Sequence, residues 1–134
     1  MRILHLDKNH EYLSSELEKL GFENHYDYTS SKDEILEKID DYVGIIIRSR
    51  IIIDDEIIKS ANKLKFIARI GAGLENIDLI SAKKNNIQNA YLKSSISLTV
   101  KDNPNVIFNG KCDGKISKQA KGKYGFGYVP VFIP

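Results

Sequence analysis

A chain of 134 residues, 42% hydrophobic and 28% charged with a net charge of +2, has the size and composition of one soluble globular domain with room for a small appendage. No apolar run approaches the ~20 residues of a membrane span, and Met1-Arg2-Ile3-Leu4-His5-Leu6-Asp7 meets an aspartate too soon for a signal peptide, so no membrane partner is expected. One cysteine, Cys112, excludes an internal disulfide and fits a cytoplasmic location.

In chain order, Ile3 to Leu6 reads as a first strand. Asn9 is placed to cap the next helix, whose Leu13, Leu17 and Leu20 share a face, and Gly21 to end it. Glu23 to Tyr26 is a short second strand. Ser31-Lys32-Asp33-Glu34 is a capping-box pattern that starts a helix burying Ile35 and Ile39. The Ile45-Ile46-Ile47 strand follows, then a helix capped by Asp54 with Ile53 and Ile58 spaced as a hydrophobic staple. Phe66-Ile67-Ala68 is the fourth strand, Asp78 starts a last helix ending at Asn85-Asn86, and Ile87 opens a fifth strand.

Alternating strands and helices imply an α/β fold: a flavodoxin-like parallel sheet of order 2-1-3-4-5 with helices on both faces. After Asn89 the pattern changes, dividing the chain into residues 1–89 and a β-rich appendage, residues 90–134. Ile96, Leu98 and Val100 alternate with Ser95, Ser97 and Thr99 as a half-buried strand. Asp102-Asn103-Pro104-Asn105 is a turn, and Val106-Ile107-Phe108 returns, making a hairpin. The appendage carries seven Lys against two Asp. That excess reads as a solvated lysine face, and no nucleic-acid partner is expected.

The third and fourth strands each end in arginine, giving Arg48-Ser49-Arg50 and Arg69-Ile70-Gly71-Ala72-Gly73. Both strands end on the same edge of the sheet, where ligands of open α/β sheets bind. Guanidinium groups and the backbone N–H groups of a glycine turn suit a small anion there, a carboxylate or phosphate. Gly71-x-Gly73 imitates the start of a dinucleotide fingerprint. The third glycine position holds Asn76, however, and Ser95 to Ser97 supply no acidic residue about twenty positions on.

Three segments carry a specific resemblance: Ile47 to Arg50, Leu64 to Arg69, and Gly71-Ala72-Gly73-Leu74-Glu75-Asn76-Ile77-Asp78. Residues 1–87 resemble the amino-terminal substrate-binding domain of D-2-hydroxyacid dehydrogenases, of the D-3-phosphoglycerate dehydrogenase branch. The resemblance implies that Arg48, Ser49, Arg50, Arg69, Gly71, Ala72 and Gly73 bind a hydroxy acid or phosphoglycerate. It also implies that the NAD site and the catalytic residues belong to a cofactor domain without counterpart here. No cofactor, metal or catalytic residue is therefore expected in this chain. A second resemblance rests on Ala90 to Lys93, Ile96 to Leu98, Phe108 to Gly110, Gly114 to Ile116 and Gly122-x-x-Gly125-Phe126-Gly127-Tyr128-x-Pro130. Residues 90–134 are similar to an inner fragment of the inosine/xanthosine triphosphate pyrophosphatase family. That likeness implies nucleobase contacts at Phe126 and Tyr128, but Val129 stands where the family's Asp is expected.

The resulting expectation is a truncated or chimeric substrate-binding domain, inactive alone, that binds small anions weakly and pairs as a homodimer through its hairpin. Two alternatives remain open: a dehydrogenase subunit completed by a separate cofactor-domain chain, and a purine nucleotide-binding or pyrophosphatase-like protein.

Overall fold

The computed structural model describes residues 1–71, 73–85, 89–99, 104, 106–117 and 132–134. The chain forms two compact units, Met1–Ile87 and Gln88–Pro134.

In the first unit β1 (Arg2–His5), α1 (Glu11–Lys19), β2 (Glu23–Tyr26), α2 (Lys32–Leu36), β3 (Gly44–Ile47), α3 (Asp55–Ser60), β4 (Phe66–Arg69) and α4 (Leu79–Lys84) follow one another. The strands form a parallel sheet of order β2-β1-β3-β4, with Ile3 opposite Gly44 and Gly44 opposite Phe66. β3 is buried along its whole length, as a central strand covered on both faces must be. Leu4, Leu6, Ile45 and Ile47 join Ile35, Ile39, Ile53, Ile57 and Ile58 in one core. Ile3 and Ile46, one residue out of phase, are buried on the opposite face.

The helix starts follow from local chemistry. Ser31 and Glu34 form the complete capping box, Asp54 accepts the Ile57 N–H at 3.2 Å, and Asp78 accepts the Ile80 and Ser81 N–H groups. The first helix departs from its sequence reading. The Asn9 amide donates to the Asp7 carbonyl, so His10 caps α1 instead, its ring accepting the Tyr12 N–H at 3.1 Å. Leu20 falls past the end of α1 and is 72% exposed. Among the described residues the sheet has four strands rather than five. Ile87, expected to open the fifth, lies outside the described residues, and the chain from Asn89 pairs in another sheet.

That second sheet has the order β5-β6-β7, from β5 (Asn89–Leu98), β6 (Val106–Ile116) and β7 (Phe132–Ile133). β5 and β6 pair antiparallel without interruption from Asn89 opposite Lys115 to Leu98 opposite Val106. Directly opposed residues share a face, so Leu92, Ile96, Leu98, Val106, Phe108 and Cys112 line one side. Tyr91, Lys93, Ser95, Ser97, Lys111 and Asp113 line the other. The apolar side was expected to be half-buried, yet Ile96, Leu98 and Phe108 are all exposed. Val100, most of the turn, and both Phe126 and Tyr128 lie outside the described residues. Among the described residues no helix is long and apolar enough to cross a membrane, and no cluster of His, Cys, Asp or Glu is placed to hold a metal ion.

Candidate functional site

Three loops meet at the carboxyl edge of the first sheet, after β1, β2 and β3. Asp7, two residues past β1, accepts the Arg48 backbone N–H at 2.6 Å and, at the limit of bonding, the Arg50 N–H at 3.5 Å. One carboxylate thus sets the path of the Arg48-Ser49-Arg50 loop. Arg50 turns inward, and its guanidinium donates to three carbonyls: Leu6 at 2.7 Å, Ser30 at 2.7 Å and Asp27 at 3.0 Å. None of these acceptors is charged, and among the described residues Arg50 has no ion-pair partner. The Asp27 carboxylate below it is occupied by Lys38. Burial pushes that carboxyl up, but Lys38, the Ser30 N–H and hydroxyl, and the Thr29 N–H together hold it well below the usual carboxylate range.

Arg69, at the end of β4, is spent on its own turn. Its guanidinium donates to the carbonyls of Arg48 at 2.9 Å and Gly73 at 2.8 Å and pairs with Glu75 at 2.9 Å. Gly73 has φ +84°, and a Cβ there would strike the Glu75 carboxylate, so this position requires glycine. The two loops are fastened together where Ile53 bridges Ile77: the Ile53 N–H donates to Asn76 and the Asp78 N–H to Ile53. Among the described residues the N–H groups of Gly71 and Gly73 have no acceptor. Ala72, between them, lies outside the described residues.

Arg48 behaves differently from the other two arginines. It is exposed, and among the described residues its guanidinium makes no hydrogen bond or ion pair. It lines a shallow pocket of about 400 Å³ together with Asp7, Lys8, Tyr28, Ser49 and Arg50. Burial and then the nearby Tyr26 raise the Tyr28 phenol above its ordinary value. Asp7, Lys8 and Tyr28 were missed at the sequence level. The signal lay in the topology: in a 2-1-3-4 order the succession of strands across the sheet turns back between β1 and β3, and the loops flanking that point face each other.

A profile for the catalytic domain of D-isomer specific 2-hydroxyacid dehydrogenases matches residues 3–101 of this sequence. The chain belongs to the D-2-hydroxyacid dehydrogenase family. This dehydrogenase-family chain is 38% identical over 100 residues to D-3-phosphoglycerate dehydrogenase of Methanocaldococcus jannaschii, a match covering 73% of the chain and 19% of the relative. Its backbone resembles the crystal structure of NAD+-bound 3-phosphoglycerate dehydrogenase from Entamoeba histolytica, with a TM-score of 0.59 and 34% identity over 66% of this chain and 31% of that one. The sequence is also 40% identical over 63 residues to dITP/XTP pyrophosphatase of Christiangramia forsetii, covering 47% of this chain and 32% of that protein. The chain therefore spans under a fifth of its archaeal dehydrogenase relative and about a third of the pyrophosphatase.

Proposed function

We propose that the Met1–Ile87 unit is the substrate-binding part of a D-2-hydroxyacid dehydrogenase of the D-3-phosphoglycerate branch. It takes a small carboxylate or phosphate anion at its sheet edge, and these 134 residues alone transfer no hydride. The observation that carries this reading is the division of labour among the arginines. Arg50 and Arg69 hold the two loops, which leaves Arg48, the Ser49 hydroxyl and the Gly71 and Gly73 N–H groups as donors for a ligand. A hydroxy acid would place its carboxylate against the glycine N–H groups and a second polar group toward Arg48.

NAD, the cofactor of the wider family, does not fit the turn after β4. A dinucleotide pyrophosphate needs free N–H groups at a helix start and a closely approaching glycine backbone. Here the Asp78 carboxylate already occupies the first N–H groups of α4, and the third glycine position is Asn76, whose side chain accepts from Arg69 and donates to the Ser49 carbonyl of the loop after β3. Nor does a histidine reach the site to carry a proton. His5 is buried against Asn24, His10 caps α1, and His25 bonds Tyr42 and Glu23.

The test is a titration of isotope-labelled chain with D-3-phosphoglycerate. Amides of Gly71 and Gly73 are expected to shift with millimolar affinity, because an open edge leaves the ligand partly solvated, and Arg48→Ala should abolish the shift. NADH fluorescence should stay unchanged at micromolar protein. A flat response at Gly71 and Gly73 overturns the reading, and so does NADH binding.

A second reading concerns the Gln88–Pro134 unit and rests on the pyrophosphatase match. A 63-residue match cannot fit between Ala90 and Pro134, so it begins no later than Ala72. We propose that this unit is a pyrophosphatase-derived segment joined to the dehydrogenase unit, without activity of its own because Val129 replaces the expected Asp. Magnesium-dependent release of pyrophosphate from inosine triphosphate would refute that. Its exposed Ile96, Leu98 and Phe108 also support self-association. Light scattering should then exceed the 15.2 kDa chain mass, and Leu98→Lys should lower it.

A further inference from the structure

The glycine turn after β4 is covered by charges of its own. A Cβ built on Gly71 would rest against the Arg69 guanidinium, 3.6 Å from Nη1, and one built on Gly73 would strike the Glu75 carboxylate. The guanidinium therefore lies over the first glycine and the carboxylate over the second, and the two meet where Arg69 Nη2 donates to Glu75 Oε1 at 2.9 Å. Glu75 accepts neither glycine N–H, since among the described residues both lack an acceptor. It covers the donors without satisfying them.

The two members of this pair are held unequally. The Arg69 side chain is 9% exposed and has further acceptors in the carbonyls of Arg48 and Gly73 and the side chain of Asn76. The Glu75 side chain is 65% exposed, and among the described residues that guanidinium is its one polar partner. An ion pair with so exposed a member contributes little, so Glu75 can swing into water while Arg69 stays in place. Its departure removes a negative charge from beside two N–H groups that await an anion.

We propose that Glu75 is an internal competitor for the glycine turn, an autoinhibitory carboxylate that an anionic ligand displaces before the Gly71 and Gly73 N–H groups can bind it. Affinity is then set by an exchange in which one carboxylate leaves as another arrives. An anion that met Glu75 still in place would face like charge at contact distance, where repulsion is strongest. The inference rests on the reading above in one respect, that the turn takes an anion.

The experiment titrates the isotope-labelled 134-residue chain and its Glu75→Gln variant with D-3-phosphoglycerate, following the amides of Gly71 and Gly73 and, in the unmutated chain, the side-chain carboxyl carbon of Glu75. Glu75→Gln keeps the shape and removes the charge, so it should tighten binding about three- to fivefold, the worth of one exposed ion pair. In the unmutated chain the Glu75 carboxyl resonance should move in step with the two glycine amides. Glu37→Gln, the same charge change at the exposed C-cap of α2, should alter affinity by less than about 1.5-fold. Amide spectra that match away from the turn show that both variants keep the fold. Equal or weaker binding by Glu75→Gln overturns the proposal and leaves the anion reading intact. So does an equal gain from Glu37→Gln, or a Glu75 carboxyl that stays still while the glycines shift. A response in Glu75→Gln alone would uphold the competitor and overturn the reading that the unmutated chain takes the anion. No response in either chain would overturn both.

Discussion

Arg50 and Arg48 are two residues apart, carry the same charge and leave the same strand, yet replacing them should have opposite consequences. Arg50→Ala removes three hydrogen bonds from a charged donor, at 2.7, 2.7 and 3.0 Å, that tie the loops after β1, β2 and β3 together. Bonds of this kind contribute roughly 1.5–3 kcal/mol each, so an undiscounted sum would reach about 4.5–9 kcal/mol. The guanidinium is only half-buried, however, and water can reach the freed carbonyls. The expected loss is therefore about 2–4 kcal/mol, below that undiscounted range. Arg48→Ala removes no side-chain bond and should cost under about 0.5 kcal/mol while eliminating anion binding. Native-state hydrogen exchange at the amides of β1 and β3 reads the stability of this sheet by itself. Arg50→Lys offers a further check: three different guanidinium nitrogens meet the three carbonyls, and one ammonium nitrogen cannot stand in for all of them, so it should recover less than half of the loss. Equal losses at the two arginines, or a loss under about 0.5 kcal/mol for Arg50→Ala, would refute the assignment of Arg50 to the fold.

A Cβ at Gly44 would fall on the Phe66 ring opposite it, so Gly44→Ala should destabilise the sheet by about 1–3 kcal/mol in urea denaturation, and adding Phe66→Leu should recover part of that. Ser31→Ala removes the acceptor of the Glu34 N–H and half of the capping box, costing about 1 kcal/mol by the same measurement. His5 is buried, which lowers its pKa from the ordinary imidazole value of about 6.5, with the Asn24 bond opposing in part. The unfolded chain therefore binds the proton more readily. Stability should be complete above about pH 6.5 and decline as pH falls through the lower folded-state value, a slope that melting curves should show and His5→Gln should remove.

What sequence reasoning reached and what it missed divide along one line, the range of the interaction involved. Ser31, Asp54 and Asp78 cap helices through N–H groups two or three residues away, so their residue types announce their roles. The Ile45-Ile46-Ile47 run is apolar without alternation because both of its faces are covered, and that alone places it at the sheet centre. Arg50 was legible as a charge at a strand end but not as a tie, because its acceptors are carbonyls 20, 23 and 44 positions away. Any residue type offers a carbonyl, so no pattern marks such a partner. Asn9 was named as a cap on residue type, and a turn bond to Asp7 diverted it. Ile96 and Leu98 alternate as a half-buried strand should, but alternation reports which face a side chain takes and not whether anything covers that face.

The β5–β6 ribbon has a consequence for handling the protein. Its ten-residue register runs without a bulge, β5 carries Lys93 as its single charge and no proline, and among the described residues β7 covers β6 only at Lys115 and Ile116. Among the described residues the outer margins of β5 and of most of β6 are unpaired, and they are different surfaces. A second molecule joining through one margin leaves the other available to a third, so accretion along this ribbon has no geometric stopping point. Concentrated solutions should slowly thicken into cross-β fibres, seeded by their own fragments, and a charge or proline placed in mid-β5 should arrest that growth without touching the anion pocket.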